Sequence, residues 1–172
     1  MSSGELPECA RRLIDERHVF LSLSRRVHED WAEDVLAEIR GGPKGRDGVG
    51  VDPSGLFGDI SADDLHGSVL GVSRTGAEEL MRLLAVGSFY SGPEASLREP
   101  DEMRDTCIRG ILDAVGGGAE FFTNHGHAED GDAADYFAGG FHYNSLASVL
   151  YDVCLIGVTR DRLLITWRFE DA

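Results

Sequence analysis

Lysine is almost missing from this chain: Lys44 is the only one among 172 residues, and the other fifteen cationic side chains are arginines. No apolar run approaches the ~20 residues that a bilayer-spanning helix needs, the longest near the N-terminus being 18–23, so no transmembrane segment is expected. Met1-Ser2-Ser3-Gly4-Glu5 carries no cationic n-region and no apolar stretch behind it, which reads as no secretory signal and gives a cytoplasmic location as the expectation. There are three cysteines, Cys9, Cys107 and Cys154, and no Cys-x-x-Cys pair, which argues against a zinc knuckle or a disulfide framework. Cys107, beside Ile108 and Ile111, and Cys154, in the apolar run 153–156, read instead as small buried hydrophobes.

The composition that remains, 42% hydrophobic and 27% charged, is that of a globular chain, and its length suits one domain spanning 1–172. Asp and Glu number 31 against 16 Lys and Arg, for a net charge of −15. Such a field repels nucleic acid and anionic membrane and steers a basic partner into contact. GC-rich codon usage or a saline habitat would produce the same excess, so the charge by itself does not name a role.

Hydrophobic periodicity sets the elements. Ala32, Val35, Leu36 and Ile39 recur at helical spacing, with Val27 and Trp31 extending the stripe backward and Gly41-Gly42-Pro43 as the stop. An earlier helix is expected over 7–20. The segment 41–67, rich in Gly, Asp, Pro and Ser, reads as a long irregular connection. A short strand at 69–72 precedes Thr75-Gly76-Ala77-Glu78, a capping-box pattern opening a helix that ends near Gly87. Pro100 opens another helix running to Val115, a strand follows at 119–123, and residues 153–159 pair with the alternating 162–169 across Arg160-Asp161. Helices first and a hairpin last, without βαβ alternation, predict an α+β fold: amphipathic helices packed on one face of a small, mainly antiparallel sheet of three to five strands, closed by the C-terminal hairpin.

The densest polar constellation is Asn124-His125-Gly126-His127-Ala128-Glu129-Asp130-Gly131-Asp132, followed by Asp135 and His142. His-x-His with a carboxylate and a third imidazole has the donor types of a Zn or Fe centre, so His125, His127, Asp132 and His142 are the candidate ligands of a small metal-dependent enzyme. The segment departs from the metallo-β-lactamase pattern at Glu129 and Asp130 and from the first cupin motif at two spacings, and neither family fits the rest of the chain. The same loop offers a different chemistry. Glu129, Asp130, Asp132 and Asp135 form an anionic cluster beside Tyr136, Phe137 and Phe141, and aromatic anchors rimmed by one sign of charge suit an interface with a cationic protein. Ser145 and Ser148 lack a nucleophile elbow, and Gly48-Val49-Gly50 lacks the setting of a phosphate loop, so neither supports an enzyme.

The acidic balance, the absence of a catalytic signature and the ending Leu164-Ile165-Thr166-Trp167-Arg168-Phe169-Glu170-Asp171 resemble the immunity proteins of bacterial polymorphic or contact-dependent toxin systems. That resemblance covers about the last 20 residues and implies an inhibitor without a cofactor. Its basic partner would be a toxin nuclease, whose active site it covers with the anionic loop.

Overall fold

The computed structural model describes residues 5–41, 47–86, 95–138, 141–149 and 151–171. Its strands are Val19–Arg25 (β1), Asp47–Gly50 (β2), Leu70–Val72 (β3), Glu120–Thr123 (β4), Tyr151–Val158 (β5) and Arg162–Glu170 (β6). They form one six-stranded antiparallel sheet in the order β2-β1-β6-β5-β4-β3. The helices are Cys9–Leu13 (α1), Trp31–Gly41 (α2), Ala62–Ser68 (α3), Arg74–Val86 (α4) and Glu102–Ala114 (α5). The fold is α+β, and the C-terminal hairpin forms across Arg160-Asp161, where the Thr159 N–H reaches the Arg162 carbonyl at 3.0 Å. The sheet is open, with β2 and β3 as its edges, rather than closed by that hairpin.

Helices cover both faces, not one. Val153 and Leu155 of β5 pack with α1, α4 and α5, while Cys154, Ile156 and Val158 pack with α2 and α3. A strand that is apolar at odd and even positions alike can bury both sets only if both faces are covered. On β6, Leu163, Ile165, Trp167 and Phe169 join the second core, and the intervening Leu164, Thr166 and Arg168 are buried too. Arg168 survives there because all three of its guanidinium nitrogens are partnered, by Glu170, by the Leu84 carbonyl at 3.0 Å and by Asp15 at 3.3 Å.

Local chemistry moves several expected boundaries. The first helix ends at Leu13, and Val19 and Phe20 belong to β1, their β-branched and aromatic side chains filling opposite faces. Val27 is 75% exposed and lies outside α2, because Asp34 accepts the Val27 and His28 N–H groups at 3.0 and 3.1 Å and turns the chain before the helix begins. The connection 41–67 is not wholly irregular: it holds β2 and most of α3, whose start is a capping box between Ser61 and Asp64. In α4 the cap is Ser73, whose hydroxyl accepts the Gly76 N–H at 3.1 Å, two residues before the expected Thr75. Asp101 rather than Pro100 opens α5. The expected stops at Gly42-Pro43 and Gly87 lie outside the described residues.

The cysteines overturn one expectation. Cys9 and Cys107 form a disulfide with Cα atoms 6.0 Å apart, pinning α1 to α5. Only Cys154 is free, and it is buried.

Candidate functional site

The polar loop after β4 is anchored by two side chains. Asn124 continues the ladder with its amide: its Oδ1 accepts the Cys154 N–H at 2.9 Å, and its Nδ2 donates to the Asn144 carbonyl at 2.9 Å and the Asp152 carbonyl at 3.0 Å. Asp152, fully buried, accepts from the Leu146 N–H at 3.1 Å, the Ser145 hydroxyl at 3.0 Å and the Trp167 indole N–H at 3.2 Å. Burial pushes the Asp152 carboxyl above the usual carboxylate range in spite of these donors. The pair ties segments 123–127 and 141–147 to the centre of the sheet. A further link is made by Gly126, whose N–H donates to the His142 carbonyl at 2.7 Å.

His125 is fully buried, stacked on Phe141 with ring centroids 4.1 Å apart and met edge-on by Tyr136 at 5.1 Å. Burial, reinforced by His127 and His142, lowers its pKa to about 3, so the ring is neutral. Its Nδ1 accepts the His127 backbone N–H at 3.1 Å. A neutral ring that accepts at Nδ1 carries its proton on Nε2, so Nε2 has no lone pair to give a metal. The side chains of His125, His127, Asp132 and His142 do not assemble into a ligand set; among the described residues no three His, Cys, Asp or Glu side chains are placed to share an ion. His142 lies instead 3.8 Å from Glu129.

The anionic residues divide. Gly126–Ala133 is a short 3-10 segment kinked at Gly131, where φ is 58°, and it presents Glu129, Asp130 and Asp132 to solvent. Asp135 is engaged internally: Arg98 donates to it at 2.8 Å and holds its carboxyl below the usual range. Of the three aromatic residues beside them, only Tyr136 is fully withdrawn from solvent. Tyr136 is 2% exposed and, through burial, its phenol is pushed up to about 12, while Phe137 and Phe141 are half-buried against the core.

What the loop does build is a cleft of about 320 Å³ against the first turns of α4. Glu79 and Asp132 line it with the hydroxyl-bearing Ser73, Thr75 and Tyr136, and no cationic side chain is among its described lining residues. Burial raises the Glu79 carboxyl, the nearby Arg82 opposes that shift, and Asp135 adds to it. Glu79 escaped the sequence reading because it comes from a helix some fifty residues away and no local spacing marks it. Asp152 did leave a signal, as a lone carboxylate leading an apolar strand, where such a group must be either paired or functional.

Comparison of the chain with protein-family models, with curated proteins and with solved structures gives no match.

Proposed function

We propose that the protein is an acidic binding protein that neutralises a basic partner, of the kind represented by a toxin nuclease, by covering its active site. The observation that carries this reading is the cleft between the 126–133 segment and α4. Two carboxylates, Glu79 and Asp132, line it with no cationic side chain among the described lining residues, although Arg82 and Arg98 act on Glu79 from nearby, and Glu129 and Asp130 extend the same sign onto the adjoining surface. A raised carboxyl at Glu79 is one that gains from an incoming guanidinium or ammonium group. The contact set is therefore Glu79, Glu129, Asp130 and Asp132, with Tyr136 as the floor of the cleft and Asp135 as a brace for the loop. The net charge of −15 adds long-range steering.

Such a role places the protein in the cytoplasm with its partner. The Cys9–Cys107 bridge weighs the other way, since disulfides persist mainly in oxidising compartments.

The test is titration against a cationic toxin domain encoded in the adjacent reading frame, read as residual nuclease activity. Triple reversal of Glu129, Asp130 and Asp132 to Lys is expected to weaken inhibition at least ~10-fold and to reduce its salt dependence. Unchanged inhibition would remove this loop as the contact surface.

A further inference from the structure

In a chain with two acidic residues for every basic one, arginines should find carboxylates, and six of the fourteen described ones do. Arg26, Arg74, Arg82, Arg98, Arg104 and Arg168 each hold one within 3.4 Å. Of the eight that do not, Arg25, Arg160 and Arg162 lie together along one groove. Arg25 and Arg162 stand directly opposite each other across the β1–β6 pair. Counting in steps of two from Leu23 and Leu164 puts both on the sheet face that carries α5. Like charges in opposed positions on neighbouring strands are destabilising, and the sequence offers no reason of fold for keeping them.

These three side chains line a groove of about 620 Å³, bounded on one side by the end of α5 at Val115 and Gly116 and on the other by the hairpin turn. Arg26 also lines it but is already committed, to Asp34 and to the Thr159 carbonyl at 3.2 Å. Asp161 is the single carboxylate among the described lining residues. Three uncommitted guanidinium groups against one carboxylate leave the groove cationic on a molecule that is otherwise strongly anionic.

We infer that this groove is a binding site for a small anion bearing two or more linked phosphoryl groups. The guanidinium fork matches phosphate oxygens two at a time, and three forks facing one volume call for a multivalent ligand rather than a single monoanion. The volume lies within the ~300 to 1,000 Å³ range usual for small-molecule sites. A long polyanion is disfavoured, because the charge outside the groove repels whatever extends beyond it.

The test uses the whole chain and calorimetric titration at low ionic strength with inorganic pyrophosphate, ADP, orthophosphate and a short DNA duplex. Saturable binding of pyrophosphate, at least ~10-fold tighter than orthophosphate, is expected. Tighter binding of ADP than of pyrophosphate would identify the source as a nucleotide, and equal binding would identify the diphosphate alone. Arg25→Gln and Arg162→Gln should each weaken binding ~10-fold or more while leaving the ligand-free melting temperature unchanged or higher. Arg160→Gln, in the exposed turn, should weaken binding without touching the fold, and Arg12→Gln, exposed on α1, should do neither. The inference is overturned by any of three outcomes. These are no saturable binding of pyrophosphate whether or not the duplex binds, equal weakening by Arg12→Gln, or a lower ligand-free melting temperature in both strand variants, which would make the arginines structural partners of the α5 carbonyls.

Discussion

The Nδ1 atom of His125 accepts the backbone N–H of His127 at 3.1 Å, and this one bond fixes the tautomer of the most buried ring in the loop. It closes the 3-10 segment at its start, as a side-chain cap does at a helix terminus. Protonating His125 would destroy the acceptor and place a charge against Phe141.

Stability should therefore fall on acidification through this residue. The folded pKa, about 3, lies below the ordinary 6.5, so the unfolded chain binds the proton more readily between those values. The stabilisation is complete above pH 6.5 and is lost as the pH drops toward 3, amounting to up to about 5 kcal/mol. Chemical denaturation from pH 7 to 4 should show this slope in the parent protein and a shallower one in His125→Gln.

Asp152 acts with the opposite sign. Its folded pKa is raised, so its favourable term is present in full below the unfolded value of 3.8 and fades as the pH rises through the folded value. Asp152→Ala leaves the Trp167 indole N–H, the Leu146 N–H and the Ser145 hydroxyl without their acceptor and is expected to cost about 3 kcal/mol or more. Thermal unfolding followed by Trp167 fluorescence would register both the loss of stability and the loss of the indole hydrogen bond.

Gly126 is required by close approach, not by backbone conformation. A Cβ there would stand 2.5 Å from both the ring and the carbonyl oxygen of His142. Gly126→Ala should force 141–144 away from 124–127 and cost about 1–3 kcal/mol. The amide of Gly126, which donates to His142 at 2.7 Å, should then exchange its hydrogen faster while the amides of β5 and β6 do not.

Thiol titration tests the bridge directly. Under denaturing, non-reducing conditions one free thiol per chain is expected, from Cys154, and three after reduction. In the folded protein even Cys154 should be silent, since burial raises its thiol well above the ordinary range. Replacing Cys9 and Cys107 together by Ser should lower stability by about 2–5 kcal/mol, the range for a long closed loop.

The elements that carry strong local signals were legible: the alternation ending in Phe169, the stripe of Ala32 to Ile39, the helix through Ile108 and Ile111. What stayed hidden depended on pairing between distant segments. Gly48 to Gly50 looks like loop because β2 draws its stability from β1 rather than from its own side chains, and the period-two pattern of β6 could not reveal that its second face is also covered. The same holds at the site. Glu129, Asp130 and Asp132 could be placed on the surface from composition, but Tyr136 reads as an anchor only until the packing of α4 against it is known. Likewise His125 and His127 look like a ligand pair until the hydrogen bond between them assigns the proton.

The order of strands has a kinetic consequence. β4, β5 and β6 emerge last in synthesis yet occupy the middle of the sheet, between β1 and β3, which are made first. Until the final third of the polypeptide arrives β1 has only the short edge strand β2 beside it and β3 has no strand partner, so assembly must wait for insertion of a late wedge. Folding should be slow and all-or-none, with a high contact order, and a nascent chain stopped short of Tyr151 should remain a client of chaperones rather than a partly built domain.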